Sequence, residues 1–357
     1  TAGTSLAPTR RFYVTSGGWF EAGSFAAAGS TVIAPGQAFL IRHPAGVAAD
    51  DLLAHALHGV LADGPGLDPR PVDDAVIGCA MPEAEQGMNV ARIGVLPAGL
   101  PDMVSAVTIN RFCSSGPQAV AMAADRIRLG EADLMLAGGT ESMSMVPMMG
   151  YKPSINPGVF GNENIAIAYG MGITAENVAE RWKISREDQD AFALASHQKA
   201  ARAIADGEFR DEILPFTLSD RYPDLARHAP RADNRVGAND EGPRADSTLE
   251  GLAGLRPVFK ARGSVTAGNS SQMSDGAGAV LLASAQALKD YGLTPLARFV
   301  GFAVAGVAPD VMGIGPIAAI PKVLAQVGIK QADLDWIELN EAFAAQSIAV
   351  MNELGIN

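Results

Sequence analysis

One of the two cysteines in this 357-residue chain, Cys113, stands in the run Asn110-Arg111-Phe112-Cys113-Ser114-Ser115-Gly116-Pro117-Gln118-Ala119. A thiol becomes a strong nucleophile when its surroundings favour the thiolate, and a helix N-terminus does so. The flanking residues predict such a terminus. Upstream, Met103-Val104-Ser105-Ala106-Val107-Thr108-Ile109 is rich in β-branched residues and suits a buried strand. Downstream, Pro117 fits a first helical turn, where a missing N–H costs nothing. Ala119, Val120, Ala123, Ala124, Ile127 and Leu129 then form a helical stripe, which Gly130 ends. A cysteine in an apolar segment is also often inert packing, and the local pattern alone leaves both readings open.

The elements that must position this thiol are legible in part. The 48% hydrophobic content supplies a large core and excludes wholesale disorder. Acidic residues outnumber basic ones 39 to 27, for a formal charge of −12. That balance argues against a general nucleic-acid binder, although a local basic pocket could hold a phosphorylated ligand. Cys79 and Cys113 have no zinc-site spacing, and the five histidines (His43, His55, His58, His197, His228) are scattered. A disulfide framework is not expected, which favours a reducing, cytoplasmic compartment. Arg10-Arg11 is followed by no continuous apolar core, so the start makes a poor signal peptide. No run of about 18 uninterrupted apolar residues occurs, so no membrane span is expected.

Residues 1 to 45 are Gly/Ala-rich, with one strand candidate, Gln37 to Arg42. An amphipathic helix from Leu52 to Leu61 precedes a turn at Gly64-Pro65-Gly66. A strand from Val72 to Cys79, a helix from Asn89 to Leu96, the Cys113 unit and a strand from Asp133 to Ala137 then alternate as β-α-β. From Ser142 to Ser264 the texture changes. Met143, Met145, Met148 and Met149 cluster, and helices are expected from Thr174 to Trp182 and from Arg186 to Asp206. Ser185-Arg186-Glu187-Asp188 reads as an N-cap with an acidic first turn. Ser219 to Asp246 is polar and reads as surface loop. Strands are expected at Ser264–Ala267, Ala277–Ala283, Ala297–Val304 and Trp336–Leu339, with helices at Ile317–Val327 and Phe343–Leu354.

Eight ordered motifs bring these pieces together. They are the Cys113 run, Gly138-Gly139-Thr140-Glu141-Ser142-Met143-Ser144, Asp240-Glu241-Gly242-Pro243-Arg244 and Leu255-Arg256-Pro257-Val258-Phe259. After them come Gly268-Asn269-Ser270-Ser271-Gln272, Ser274-Asp275-Gly276-Ala277, Met312-Gly313-Ile314-Gly315-Pro316 and Asn340-Glu341-Ala342-Phe343. In these motifs the chain resembles the thiolase family, specifically its degradative 3-ketoacyl-CoA thiolases. The resemblance covers roughly residues 50 to 357. It implies an α/β fold of five layers, α-β-α-β-α, built from two similar halves. Residues 1–142 with 274–295 would form the first half, 143–273 an inserted loop domain, and 296–357 a partial second half that looks truncated.

The resemblance also implies the site. Cys113 would attack the keto carbon of a 3-ketoacyl-CoA and carry the acyl group until a second CoA collects it. Asn340 would hold a water that donates to the developing oxyanion. Ser271 would contact the pantetheine arm and Arg244 the nucleotide end of CoA. Met148 and Met312 would lie along the substrate, where flexible thioethers suit an acyl chain. CoA is the co-substrate, with no permanently bound cofactor or metal, and a homodimer or homotetramer is expected. Taken without the resemblance, Asn340 is a strand-end residue fixing a turn and Arg244 a surface charge. Glu341 and Arg256 read as partners in buried hydrogen-bond networks.

Biosynthetic relatives carry a His after the Gly-Gly-Thr-Glu-Ser motif. Here the neighbourhood reads Val146-Pro147-Met148-Met149, which favours degradation over acetoacetyl-CoA synthesis. The chain departs from the family at both ends. Arg42-His43-Pro44 is the nearest match to the opening Arg-Thr-Pro motif. The Gly-His-Pro motif and second Cys that complete the site do not occur, so impaired activity is expected of these 357 residues. A non-catalytic CoA-binding protein is the alternative outside enzymes.

Overall fold

A central sheet organises the larger of two units in the computed structural model, which describes residues 12–15, 18–21, 48–62, 68–161, 163–224 and 229–356. The larger unit comprises residues 47–214 and 238–357, the smaller residues 1–46 and 215–237. In chain order the elements begin with a hairpin of the smaller unit, β1 (Phe12–Thr15) and β2 (Gly18–Glu21). The sequence had offered one strand candidate in this region, Gln37 to Arg42. That candidate lies outside the described residues, as do His43 and the Gly64-Pro65-Gly66 turn.

The larger unit starts with α1 (Ala49–Ala62), followed by β3 (Asp74–Gly78), α2 (Val90–Val95), β4 (Ser105–Ile109), α3 (Ser115–Arg128) and β5 (Leu134–Ser142). After β5 the chain leaves the sheet through α4 (Met171–Arg181) and α5 (Arg186–Asp206). It then supplies the smaller unit with the strands β6 (Phe216–Asp224) and β7 (Ala229–Gly237) and returns to the larger one at α6 (Leu249–Ala253). The sheet regains the chain at β8 (Asp275–Ala283), and α7 (Ala285–Asp290), α8 (Gly315–Val327) and α9 (Ala344–Leu354) complete it.

Strand order is β4-β3-β5-β8, with β4, β3 and β5 parallel and β8 antiparallel to β5. Period-two alternation divides the core into two layers. Ala75, Ile77, Leu134 and Leu136 face Leu53, Leu57 and Val95. Val76, Met135 and Ala137 face Ala119 and Ala123 on α3. The alanines let α3 sit close to the sheet, and Gly78 allows closer approach still. A Cβ at Gly78 would lie 2.5 Å from Ser115 Cβ. The strand before Cys113 was expected to be buried. Instead β4 is the edge of the sheet, paired with one neighbour only among the described residues, and Ser105 and Val107 are exposed.

Outside the sheet, α5 matches the expected helix. A reciprocal Ser185–Asp188 capping box starts it, and Gly207, at φ +75°, stops it. The polar stretch read as loop instead contains most of a hairpin, registered from Phe216↔Gly237 to Asp224↔Ala229. Polar composition hid it, because backbone pairing needs no apolar pattern.

Three other expected strands are absent. Ser264–Ala267 makes only a single bridge, Pro257↔Thr266, before the turn Ala267–Asn269. Ala297–Val304 and Trp336–Leu339 are irregular. Both are rich in β-formers, but a strand also needs a hydrogen-bonding neighbour, and neither finds one among the described residues. Their apolar side chains are correspondingly exposed, Trp336 by 80%. One helical run, Pro309–Val327, is long and apolar enough to be weighed as a membrane span. It is broken at Val311, and its Asp310 pairs with Arg181 at 2.6 Å.

Candidate active site

Cys113 occupies a tight turn, Phe112–Ser114, between the end of β4 and the start of α3. Phe112 takes φ +47°, a conformation that bulky residues rarely adopt. A web of short bonds holds it there. Asn110 Oδ1 accepts from the Phe112 N–H at 2.8 Å. Ser115 Oγ accepts from the Arg111 N–H at 2.8 Å and donates to the Phe112 carbonyl at 2.6 Å. Beneath the turn, Ser115 rests on Gly78 and the Cα of Gly116 approaches Gly139, so glycines at the end of β3 and within β5 clear the space. The thiol is exposed and free, at the N-terminus of a 14-residue helix. The positive end of that helix dipole lies on this side of the turn.

Cys79, at the end of β3, has the opposite surroundings. Burial, then the negative charge of Glu141, pushes its thiol up to about 12. It stays protonated at neutral pH and is no second nucleophile. Glu141 itself accepts from the Ala80 N–H at 2.6 Å, the Met81 N–H at 3.3 Å and Gln86 Nε2 at 2.5 Å. Asn110 Nδ2 donates to the Ala80 carbonyl at 2.9 Å, tying this loop to the Cys113 turn. Met148 belongs to the same edge of the sheet. It is exposed in the turn after β5, where the Tyr151 N–H donates to Glu83.

The other expected site residues gather in a second group. The Ser271 N–H donates to the Ala342 carbonyl at 2.9 Å, and Ser270 bridges Phe343, so two distant motifs run side by side. Asn340 is exposed beside them, its carbonyl accepting from Gln346 Nε2 at 3.3 Å. Met312 joins through Gly313, which abuts Gln346 so closely that a Cβ would lie 2.9 Å from its side chain. Phe343 meets Phe259 edge-on at 6.2 Å, and Phe259 lies over Gly172. The Arg244 loop backs onto the Ser271 loop through Gly242, which packs against Gln272.

No hydrogen bond of the Cys113 turn reaches this group among the described residues. The sheet relates them instead. Asp275 pairs with Ser142 at the C-terminal end of β5, and Ser271 lies four residues before Asp275. An extended chain of that length spans at most about 14 Å. Ser271 therefore lies within that reach of the C-terminal end of β5, the side of the sheet on which the Cys113 turn also stands.

The sequence did not reveal what aligns the second group, which is α5. Asp190 Oδ1 accepts from Asn269 Nδ2 at 3.0 Å, and Gln189 Nε2 donates to Ser264 Oγ at 2.9 Å. Ser196 Oγ donates to Glu341 at 2.5 Å, and His197 Nδ1 accepts from the Arg244 N–H at 3.2 Å. A run of polar residues along a partly buried helix was the available signal. Glu341 thus belongs to a hydrogen-bonded network as expected, whereas Arg256 is exposed, the loop around it being held from backbone carbonyls by Arg186. Buried Glu176 accepts from the Ser264 and Val265 N–H groups, a further carboxylate that no motif singles out.

Comparisons with known proteins cover nearly the whole described chain. The N-terminal domain of thiolase matches residues 39–286 and its C-terminal domain residues 293–357. A 3-ketoacyl-CoA thiolase of Bacillus subtilis (strain 168) is 50% identical over 315 residues, covering 87% of this chain and 79% of the relative. A beta-ketoadipyl-CoA thiolase of Escherichia coli is 45% identical over 326 residues, with the same coverage. The crystal structure of the Bacillus anthracis acetyl-CoA acetyltransferase superposes with a TM-score of 0.76 at 41% identity, over 87% of this chain and 78% of that one. The dimeric peroxisomal thiolase of Saccharomyces cerevisiae gives 0.77 at 39%, over 87% and 77%. With two domains matched in order and half the residues of a relative shared, the chain belongs to the thiolase family of acyltransferases.

Proposed function

We propose that the protein cleaves 3-ketoacyl-CoA thiolytically in acyl-chain degradation, with Cys113 as nucleophile. The Cys113 sulfur attacks the C3 carbonyl, and collapse of the adduct breaks the C2–C3 bond. Acetyl-CoA departs as its enolate and takes up a proton, while the acyl group remains on sulfur as a thioester. A second CoA thiolate attacks that thioester and releases the shortened acyl-CoA and the Cys113 thiolate. CoA is thus a co-substrate, and the cycle needs no resident cofactor. Asn340 serves the oxyanion through a bound water, Ser271 meets the pantetheine arm and Arg244 the nucleotide. Met148 and Met312 line the acyl path.

The observation that carries this reading is the exposed Cys113 thiol at the start of α3, beside a Cys79 that burial keeps protonated. Names of the relatives support the substrate class, 3-ketoacyl-CoA in one and beta-ketoadipyl-CoA in another. The exposed methionines Met148 and Met149 favour an apolar acyl chain. We place the enzyme in the cytoplasm and read residues 143–273 as a domain inserted between 1–142 and 274–295, with 296–357 in the second half. A second copy pairing at the open β4 edge would give a dimer, the state named for the Saccharomyces cerevisiae relative.

The test is a brief incubation with 3-ketoacyl-CoA, followed by intact-mass and peptide analysis. One acyl group on Cys113, absent from Cys113→Ala, is the expected result. An adduct that persists in the variant or sits on Cys79 rejects the assignment.

A further inference from the structure

The two ends of the expected CoA site, the Asn340 loop and the Arg244 loop, lie about a hundred residues apart in sequence, yet they are tied to consecutive residues of one helix. Ser196 Oγ donates to the Glu341 carboxylate at 2.5 Å, next to Asn340. His197 Nδ1 accepts from the backbone N–H of Arg244 at 3.2 Å. Around them α5 is anchored over its first turns by Arg186 on the Leu252 carbonyl at 2.6 Å, by Gln189 on Ser264 and by Asp190 on Asn269. A helix rises about 1.5 Å per residue and does not stretch, so two loops bound to adjacent positions keep a fixed spacing.

We infer that Ser196 and His197 are positioning residues that set the spacing between the acyl-transfer end and the nucleotide end of one bound CoA. His197 acts through Arg244 and Ser196 through the Asn340 loop; neither touches substrate. The inference rests on the proposed roles of Arg244 and Asn340. Its particular content is that the two adjacent residues affect different steps. Loss of the His197 acceptor frees the Arg244 loop and weakens CoA binding. Loss of the Ser196 donor frees Glu341 and slows acylation of Cys113.

The variants are His197→Leu, His197→Asn, Ser196→Ala and, as reference, Arg244→Ala. For each, CoA affinity is measured by calorimetry and the single-turnover rate of Cys113 acylation by mass spectrometry. His197→Leu should weaken CoA binding about five- to tenfold, the worth of one hydrogen bond. His197→Asn, whose Oδ1 stands where Nδ1 stood, should restore it. Ser196→Ala should slow acylation about five- to tenfold with CoA affinity held within about twofold. If Arg244→Ala weakens binding while His197→Leu does not, the inference falls and the role of Arg244 stands. If Arg244→Ala itself has no effect, that role falls, and the inference with it. Equal weakening by Leu and Asn also overturns it, since the acceptor would then be irrelevant. Should His197→Leu not fold, amide hydrogen exchange of the unmodified protein decides: the Arg244 N–H must be slowed relative to a free loop amide, and fast exchange there ends the inference.

Discussion

Cys113 and Cys79 close neighbouring strands, and their surroundings give them opposite access to solvent. Cys113 is open to solvent at a helix start, whereas Cys79 is buried near the Glu141 carboxylate. Iodoacetamide at pH 7 should therefore modify one cysteine per chain, and peptide mapping should find the label on Cys113 alone. The elevated Cys79 value also predicts a pH effect on stability. A thiol that ionises at about 9.0 when unfolded but near 12 when folded favours the folded state fully below pH 9. That contribution is lost as pH rises from 9 towards 12. Denaturant titrations of the native protein and Cys79→Ala across this range should show a steeper loss in the native protein. Asn340→Ala tests the oxyanion role: acylation of Cys113 should slow by about 10²–10³-fold in single-turnover assays, the usual cost of one such donor.

At the scale of elements, the Cys113 turn depends on glycines beneath it. Gly78→Ala would bring a methyl to 2.5 Å from Ser115 Cβ, forcing the start of α3 away from β3. The expected cost is about 1–3 kcal/mol in unfolding free energy. A second readout is altered alkylation of Cys113, which a change of packing alone would leave untouched. How much of this was legible varies with the physics of each element. The boundaries of α5 were readable because Ser185, Asp188 and Gly207 act locally on their own helix. The Cys113 turn was readable because β-branched residues, Pro117 and the alanine stripe each point the same way.

The failures share a cause. Ala297–Val304 and Trp336–Leu339 carry strand-forming residues, but pairing depends on a neighbour that local sequence does not specify. The hairpin between Phe216 and Gly237 has the ladder without the apolar pattern that would announce it. Of the site, Cys113 could be argued from its own segment, whereas Ser271, Arg244 and Asn340 were reached only through resemblance to a family. Their convergence depends on Ser196, His197 and Asp190, polar residues whose partners lie dozens of positions away.

Across the whole molecule, the open edge of the sheet has the largest consequence for assembly. Among the described residues β4 pairs with β3 alone and exposes the side chain of Val107, and although Asn89 Nδ2 already bonds the Ala106 carbonyl at 2.9 Å, such an edge invites another strand unless it is blunted further. Val107→Lys should shift the proposed dimer towards monomer in analytical ultracentrifugation, while far-UV circular dichroism stays unchanged. A dimer that survives the change places the contact elsewhere.

The pairing of Ser142 with Asp275 bears on how such a protein diversifies. The excursion that carries α4, α5 and the loops around the proposed CoA site departs and returns at one hydrogen-bonded position. Its two stems are already fastened to each other, so the excursion can be lengthened, pruned or exchanged like a graft. Substrate preference is then free to drift among descendants while the strands holding the nucleophile keep their places.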